Sequence, residues 1–245
     1  MTTLIKFIIG LLSALLMTSC VFDGNFNQVR GNGNVQTENF NITQDFDGVS
    51  AGNGWDVYLE KGSEYSVVVE ADENIIGLAD IYVNGNTLKI YCEHNISRAT
   101  SKKVFVTYVD NLTSIKASSG ADIITKEVLK GEDLSLNVSS GGSIKTEAIV
   151  RNINTDVSSG GSIRIAGSSE QLDADVSSGG TINARDLKAK YATANASSGG
   201  NIDLRVTDKL RARASSGGDI DYWGNPKEVD KPKKSYSGGS VDAKD

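Results

Sequence analysis

The chain is poor in the residues that most enzyme chemistry needs. It holds one histidine, two cysteines and two prolines among 245 residues, and aromatic side chains make up 7%. With His94 as the single imidazole, remote from the serine-rich repeats described below, the many serines lack the base that a serine hydrolase requires. Cys92 and His94 stand two residues apart, and that pair alone does not make a zinc site. Few aromatics mean that a core must rest on Ile, Val, Leu and Ala, which suits a thin, repetitive core better than a thick one. Positive charge is also short: the net charge is -6, an acidic balance that lacks the basic footprint of a nucleic-acid binder. The longest apolar run, Phe7 to Met17, is too short to span a bilayer as a mature helix.

That run follows Lys6 and ends in "MTSC", small residues leading into Cys20. The arrangement resembles the lipobox of bacterial lipoproteins, with Met17 and Leu16 departing from the usual spacing. The resemblance implies that residues 1–19 are a signal peptide, that Cys20 is lipidated, and that the mature chain is held to a membrane of the cell envelope. A plain secretory signal is the alternative. With Cys20 committed to a lipid, Cys92 is left alone and the mature monomer has no internal disulfide. Residues 20–44 are rich in Asn and Gly and read as a tether whose later half is able to pair as an edge strand.

Residues 45–110 carry ordinary strand signals. "WDVYLEKG" and "YSVVVEAD" alternate or run β-branched, and "YVNGNTLKIYCE" sets Asn-Gly between two alternating runs, as a hairpin does. "ENIIGLA" is the one short helix candidate.

Residues 111–245 are dominated by a repeat. "SSGG" or a close variant opens at Ser118, Ser139, Ser158, Ser177, Ser197 and Ser215, with a degenerate copy at Tyr236, a spacing near 20 residues that marks a solenoid. Before each corner, apolar residues recur every second place, as in Leu134, Leu136 and Val138, with polar residues between them. Five places after the first serine stands Ile123, Ile144, Ile163, Ile182, Ile202 or Ile220, then Val241. These predict coils of strand, tight turn and strand, an aliphatic ladder, and a looser return path through stretches such as "RIAGSSEQ" and "NARDLKAKY". Gly-Gly is expected to supply positive φ at the corner, with Ala121 in the first copy implying that one such position suffices there, and the serines to bond the turn backbone or one another.

"FDGVSAGNGWDVYLEKG", "YSVVVEADENI", "NGNTLKIYCE" and "LTSIKASSGADI", followed by repeated Ser/Gly turns, resemble in their order the bacterial family called putative auto-transporter adhesin, head GIN domain. The resemblance implies a pectin-lyase-like β-helix, no recognised catalytic residues or cofactor, and a role in cell adhesion at the envelope. It gives no binding residues to carry over.

The fold expected is therefore all-β: a single-stranded parallel β-helix, right-handed because parallel crossovers favour that hand. Residues 46–54 are a candidate divergent first copy, which would make one continuous stack. Three polar features are candidate sites. Asp203, Asp221 and Asp242 occupy equivalent places in successive coils, and so do Asp156 and Asp175; stacked carboxylates would repel unless a cation such as Ca²⁺ relieved them. Tyr222, Trp223 and Tyr236 are candidates for stacking on a sugar or for capping the open end, and "NPKEVDKPKK" reads as a loop thrown out there. The expected function is a non-catalytic adhesin presenting a β face to a glycan or surface protein. A polysaccharide-active enzyme, or a structural or sensory envelope component, are the alternatives.

Overall fold

The computed structural model describes residues 28–231 and 238–245. It is nearly all strand, wound into a β-solenoid of about 6 turns. The repeats build its regular part. Strands β12 (Leu129–Val138), β13 (Ser143–Val157), β14 (Ser162–Val176), β15 (Thr181–Ala196) and β16 (Asn201–Ala214) pair in parallel, each with the next.

The corners explain the serines and glycines, though not as the sequence predicts. Positive φ falls on the second serine and the first glycine, at 49–51° from Ser119 to Ser216 and 71–75° from Gly120 to Gly217. The amide of the fourth residue donates to the carbonyl of the first, as from Gly142 to Ser139 at 3.0 Å. This is a type I′ turn, which matches the twist of flanking strands. The second glycine is there for room instead: a Cβ on Gly218 would lie 2.5 Å from the Ala196 carbonyl carbon of the preceding coil. Ala121 therefore does not reduce the need for positive φ, since its corner keeps both positions, Ser119 and Gly120. Backbone does most of the tying between corners, and the Ser118 hydroxyl adds a bond of the expected kind, donating to the Ala51 carbonyl at 3.4 Å. The Gly120 amide donates to the Ser140 carbonyl and the Gly141 amide to that of Ser159, both at 3.1 Å.

The return path is not loose. β13 to β16 continue through it without a break because inward residues such as Ala148, Ile165, Leu187 and Val206 are buried and the coils keep bonding. The bend is taken up at places such as Gly167, with φ 114°, where a Cβ would meet the Ala148 carbonyl oxygen.

The stack extends into the N-terminal region. β3 (Gly48–Ala51) and β4 (Asp56–Lys61) lie in parallel register with β10 (Ser114–Ala117) and β11 (Asp122–Thr125), matching Ala51 to Ala117 and Val57 to Ile123. Asn53 and Gly54 have φ of 53° and 80°, the same corner in different residues. Residues 46–54 are thus a divergent copy, as their sequence suggests. One coil further out, β7 (Thr87–Cys92) and β9 (Lys102–Tyr108) stack on β3 and β4, and the segment 93–101, with strand β8 (Asn95–Arg98), replaces the tight corner. Trp55, in the place of the second glycine, is fully buried there.

Antiparallel strands cover this end. β6 (Ala79–Asn84) makes the expected hairpin with β7, and β5 (Ser66–Asp72) pairs with β9. β2 (Val35–Phe40), from the stretch read as a tether, pairs with β5, and β1 (Gln28–Arg30) runs parallel to β8. The short helix is α1 (Glu73–Ile76). Just before it, buried Asp72 accepts the amides of Gly33, Thr100 and Ser101 at 2.9, 3.0 and 3.1 Å, clasping three segments of the cap.

At the other end β17 (Asp219–Trp223) and β19 (Ser240–Ala243) continue the stack. The described part of the segment expected as a thrown-out loop, residues 225–231, returns to it, for β18 (Glu228–Asp230) pairs with β16; residues 232–234 lie outside the described residues.

Two core columns show how the solenoid stays filled. Before the corner, Val49, Ile115, Leu136, Thr155, Ala174, Ala194 and Ala212 stand in register, shrinking toward the C-terminus. After the corner of the same coils come Leu59, Thr125, Thr146, Ile165, Ala184, Leu204 and Tyr222. In the coils of Thr155, Ala194 and Ala212 the second column regains most of the volume that the first loses, with Ile165, Leu204 and Tyr222, whereas the coil of Ala174 has alanine in both, Ala184 being its partner. The Thr125 and Thr146 hydroxyls bond each other at 2.8 Å, and Thr155 Oγ1 donates to the Asp173 carbonyl at 3.2 Å.

Candidate functional site

Period two leaves each coil with outward side chains on either side of the corner, so the solenoid has two outer faces that the sequence decorates independently.

On the face after the corner, one column reads Phe105, Tyr58, Ile124, Lys145, Arg164, Asn183, Asp203, Asp221 and Asp242. It passes from apolar through basic to acidic, and Tyr58 stacks on Phe105 with centroids 5.3 Å apart. The three aspartates are in register, as their spacing predicts. Burial pushes the Asp203 carboxyl up, an Asn201 hydrogen bond opposes this, and the Asp221 charge adds to it. The relief comes from cations of the chain itself: Lys244 Nζ lies 3.1 Å from Asp221, and the charges of Arg185 and Lys244 both lower Asp203. Among the described residues, no group of three or more His, Cys, Asp or Glu side chains is placed to hold a metal ion.

The aromatic candidates separate. Tyr222 is buried in the core column, so it fills the end of the solenoid rather than facing a ligand. Trp223 points outward, and the Arg185 guanidinium covers its ring at 4.4 Å. Tyr236 and Cys20 lie outside the described residues.

The face before the corner is decorated differently. Its outermost column is Lys89, Ser50, Lys116, Asn137, Asp156, Asp175, Asn195 and Arg213. Asp156 and Asp175 are neighbours, as predicted, and the column then changes chemistry. Asn195 Nδ2 donates to Asp175 Oδ1 at 2.8 Å, while Arg213 forks onto both oxygens of Asp230 at 3.1 and 3.0 Å. The Asp230 charge is shared with Arg211, whose Nε is 3.3 Å away, and the Arg213 hydrogen bond holds that carboxyl below its ordinary value. A groove of about 490 Å³ runs over the coils of Asp156, Asp175, Asn195 and Arg213, with Ser177, Ser197 and Ser215 along its corner edge. A smaller one of about 140 Å³ lies beside it, lined by Gln171, Asp173, Tyr191, Thr193, Lys209 and Arg211.

Tyr191 is the residue that sequence reasoning missed. It is 44% exposed, in register with Gln171 and Lys209. Its signal was an aromatic at an outward position of the supposedly irregular return path. Cys92 is buried, and burial pushes its thiol up, so it is a poor nucleophile.

The fold has clear relatives among solved structures. A putative adhesin from Bacteroides fragilis superposes with a TM-score of 0.78 at 19% identity, covering 88% of this chain and 99% of its own. A protein named putative lipid binding protein from Parabacteroides distasonis gives 0.64 at 21% identity, covering 89% and 100%. A putative adhesin from Parabacteroides merdae gives 0.64 at 21%, covering 89% and 99%. No curated protein sequence matches the chain. A family model does match, over residues 45–226, which span the divergent first coil and the repeats. The chain therefore belongs to the family described as putative auto-transporter adhesin, head GIN domain.

Proposed function

We propose that this protein is a non-catalytic adhesin of the cell envelope, anchored to a membrane through lipidated Cys20, that presents the face before the corner to glycans or proteins of another surface. The observation that carries this reading is the groove over Asp156, Asp175, Asn195 and Arg213: an open array of hydrogen-bonding groups, one set per coil, on a rigid scaffold. The names of the family and of two of its structural relatives point the same way. A buried apolar ligand suits these two grooves less well, since carboxylates, amides and guanidinium groups line them.

The enzyme alternative needs a fixed acid and base around one cleft. The outward acids of the two faces stand on opposite sides of the corner, and His94 belongs to the 93–101 segment of the cap. The test is a glycan array with the purified chain from residue 21 onward, with and without calcium, recording retention and release of shortened or unsaturated products. Saturable retention without product is expected. Calcium-dependent product would overturn the non-catalytic reading.

A further inference from the structure

We infer that the groove before the corner takes a neutral, extended, linear polysaccharide lying parallel to the solenoid axis, with successive sugars on successive coils. This rests on the adhesin reading and names the class of ligand. Three observations lead to it.

The first is repeat length. Coils bonded as parallel strands present equivalent positions about 4.8 Å apart along the axis. A ligand that meets the same contacts on every coil must share that step. An extended peptide advances about 3.4 Å per residue and repeats its side every second residue, so it falls out of step. One pyranose in an extended 1,4-linked chain advances by nearly the coil spacing, so even where successive rings alternate in face, as in β-1,4-linked chains, every second sugar meets every second coil and the chain stays in step.

The second is chemistry. Over four coils the groove offers the carboxylates of Asp156 and Asp175, the Asn195 amide and the Arg213 guanidinium, flanked by the Ser177, Ser197 and Ser215 hydroxyls. Sugar hydroxyls donate and accept at once, so they bond to each of these. Asp173 joins Asp156 and Asp175 on the same face, and among the described residues no cation lies within ion-pair distance of any of the three. A uronic acid chain would bring further negative charge against them, and a nucleic acid more still.

The third is Tyr191. Its ring stands exposed between Gln171 and Lys209 in the smaller groove alongside, where the edge of a chain lying on the coils would reach it, a flat apolar surface of the kind that the C–H face of a sugar covers.

The test is calorimetric titration of the chain from residue 21 onward with cello- and manno-oligosaccharides, from disaccharide to hexasaccharide. The bent malto-oligosaccharides and the charged oligogalacturonates serve as controls. In at least one extended neutral series affinity should rise about tenfold from disaccharide to tetrasaccharide and then level off. Tyr191→Ala and Asn195→Ala should each weaken the tetrasaccharide about three- to tenfold, the scale of one lost hydrogen bond or stacking contact. Lys145→Ala, across the corner, should leave it unchanged.

Equal or tighter binding of the malto- or galacturonate series would overturn the proposal, as would affinity that ignores chain length. Glycan binding that survives both groove substitutions would overturn the groove and leave the adhesin reading standing. Failure of every oligosaccharide here, with retention of some other glycan on the array, would again sink the groove alone. Failure of both assays would remove glycan adhesion altogether.

Discussion

The two halves of the solenoid solve one geometric problem with different means. From residue 46 to 112 the coils are filled with large side chains, Phe46, Trp55 and Tyr108 among them, and are sealed by antiparallel strands and the Asp72 clasp. From Ser114 onward the corner is nearly invariant, and the column before it thins to Ala174, Ala194 and Ala212. Both halves share a register, so the difference lies in what each coil has for a neighbour. Where the preceding coil makes the Ser-Ser-Gly corner, the second glycine must be bare, and over the divergent Asn53–Gly54 corner the methyl of Ala121 is accommodated. Where that corner is replaced by the 93–101 segment, an indole fits and its Nε1 donates to the Tyr91 carbonyl at 3.0 Å. The N-terminal half supplies an end to the stack, and the repeats supply a uniform outer surface.

The largest break in this comparison should come from the cap's core. Trp55→Ala should cost about 4 kcal/mol, the usual scale for a buried Trp truncation, measured by urea denaturation. Next comes Asp72→Ala, which strands the buried Ser101 amide, removes a charged acceptor from those of Gly33 and Thr100, and should cost about 3 kcal/mol. Burial alone would raise the Asp72 carboxyl, but the Gly33, Ser101 and Thr100 hydrogen bonds outweigh it and hold it below its ordinary 3.8. Its contribution is therefore fully present above that ordinary value and is lost as pH falls through the depressed folded one. The stability gap between wild type and Asp72→Asn should narrow in that acid window, in denaturation followed against pH.

Within the repeats the two corner glycines should part company. Gly218→Ala forces a Cβ against backbone and should cost about 2 kcal/mol. Gly179→Ala meets no atom within 4 Å and carries only the left-handed φ of 73°, so about 1 kcal/mol is expected. Smallest is Asp203→Asn. Burial raises that carboxyl, so its charge is a cost at neutral pH that disappears as pH falls through the raised folded value. The substitution should be neutral or stabilising, within about 0.5 kcal/mol in the same denaturation assay.

How much of this was legible depended on repetition. The inward columns, the isoleucine ladder and the two aspartate registers follow from period and spacing alone, because each copy repeats the evidence of the last. The copy at Val49–Val57 was visible only as a suspicion, since Asn53 replaces Ser and Trp55 replaces Gly. The roles of Ser and Gly within the corner were displaced by one place, because composition shows that room and positive φ are needed without showing which residue supplies which. The closed return path was hidden by its varied sequence: Ala166, Gly167 and Ser168 do not look like a strand, yet bonding to both neighbouring coils makes them one. Tyr191 was passed over for the same reason. The neutralising groups around Asp221 and Asp230, Lys244 and the two arginines, came from different coils or chain ends, which no periodicity could bring together.

Cap and repeats form one continuous stack, with β3 and β4 in parallel register with β10 and β11. Hydrogen exchange on intact wild type and Trp55→Ala, read segment by segment, tests it most directly. Protection should fall most in residues 46–112 and decline in diminishing steps through β12, β13 and β14, as nearest-neighbour coupling requires. Unchanged protection from Leu129 onward, with loss confined to the cap, would contradict it and show two independent units.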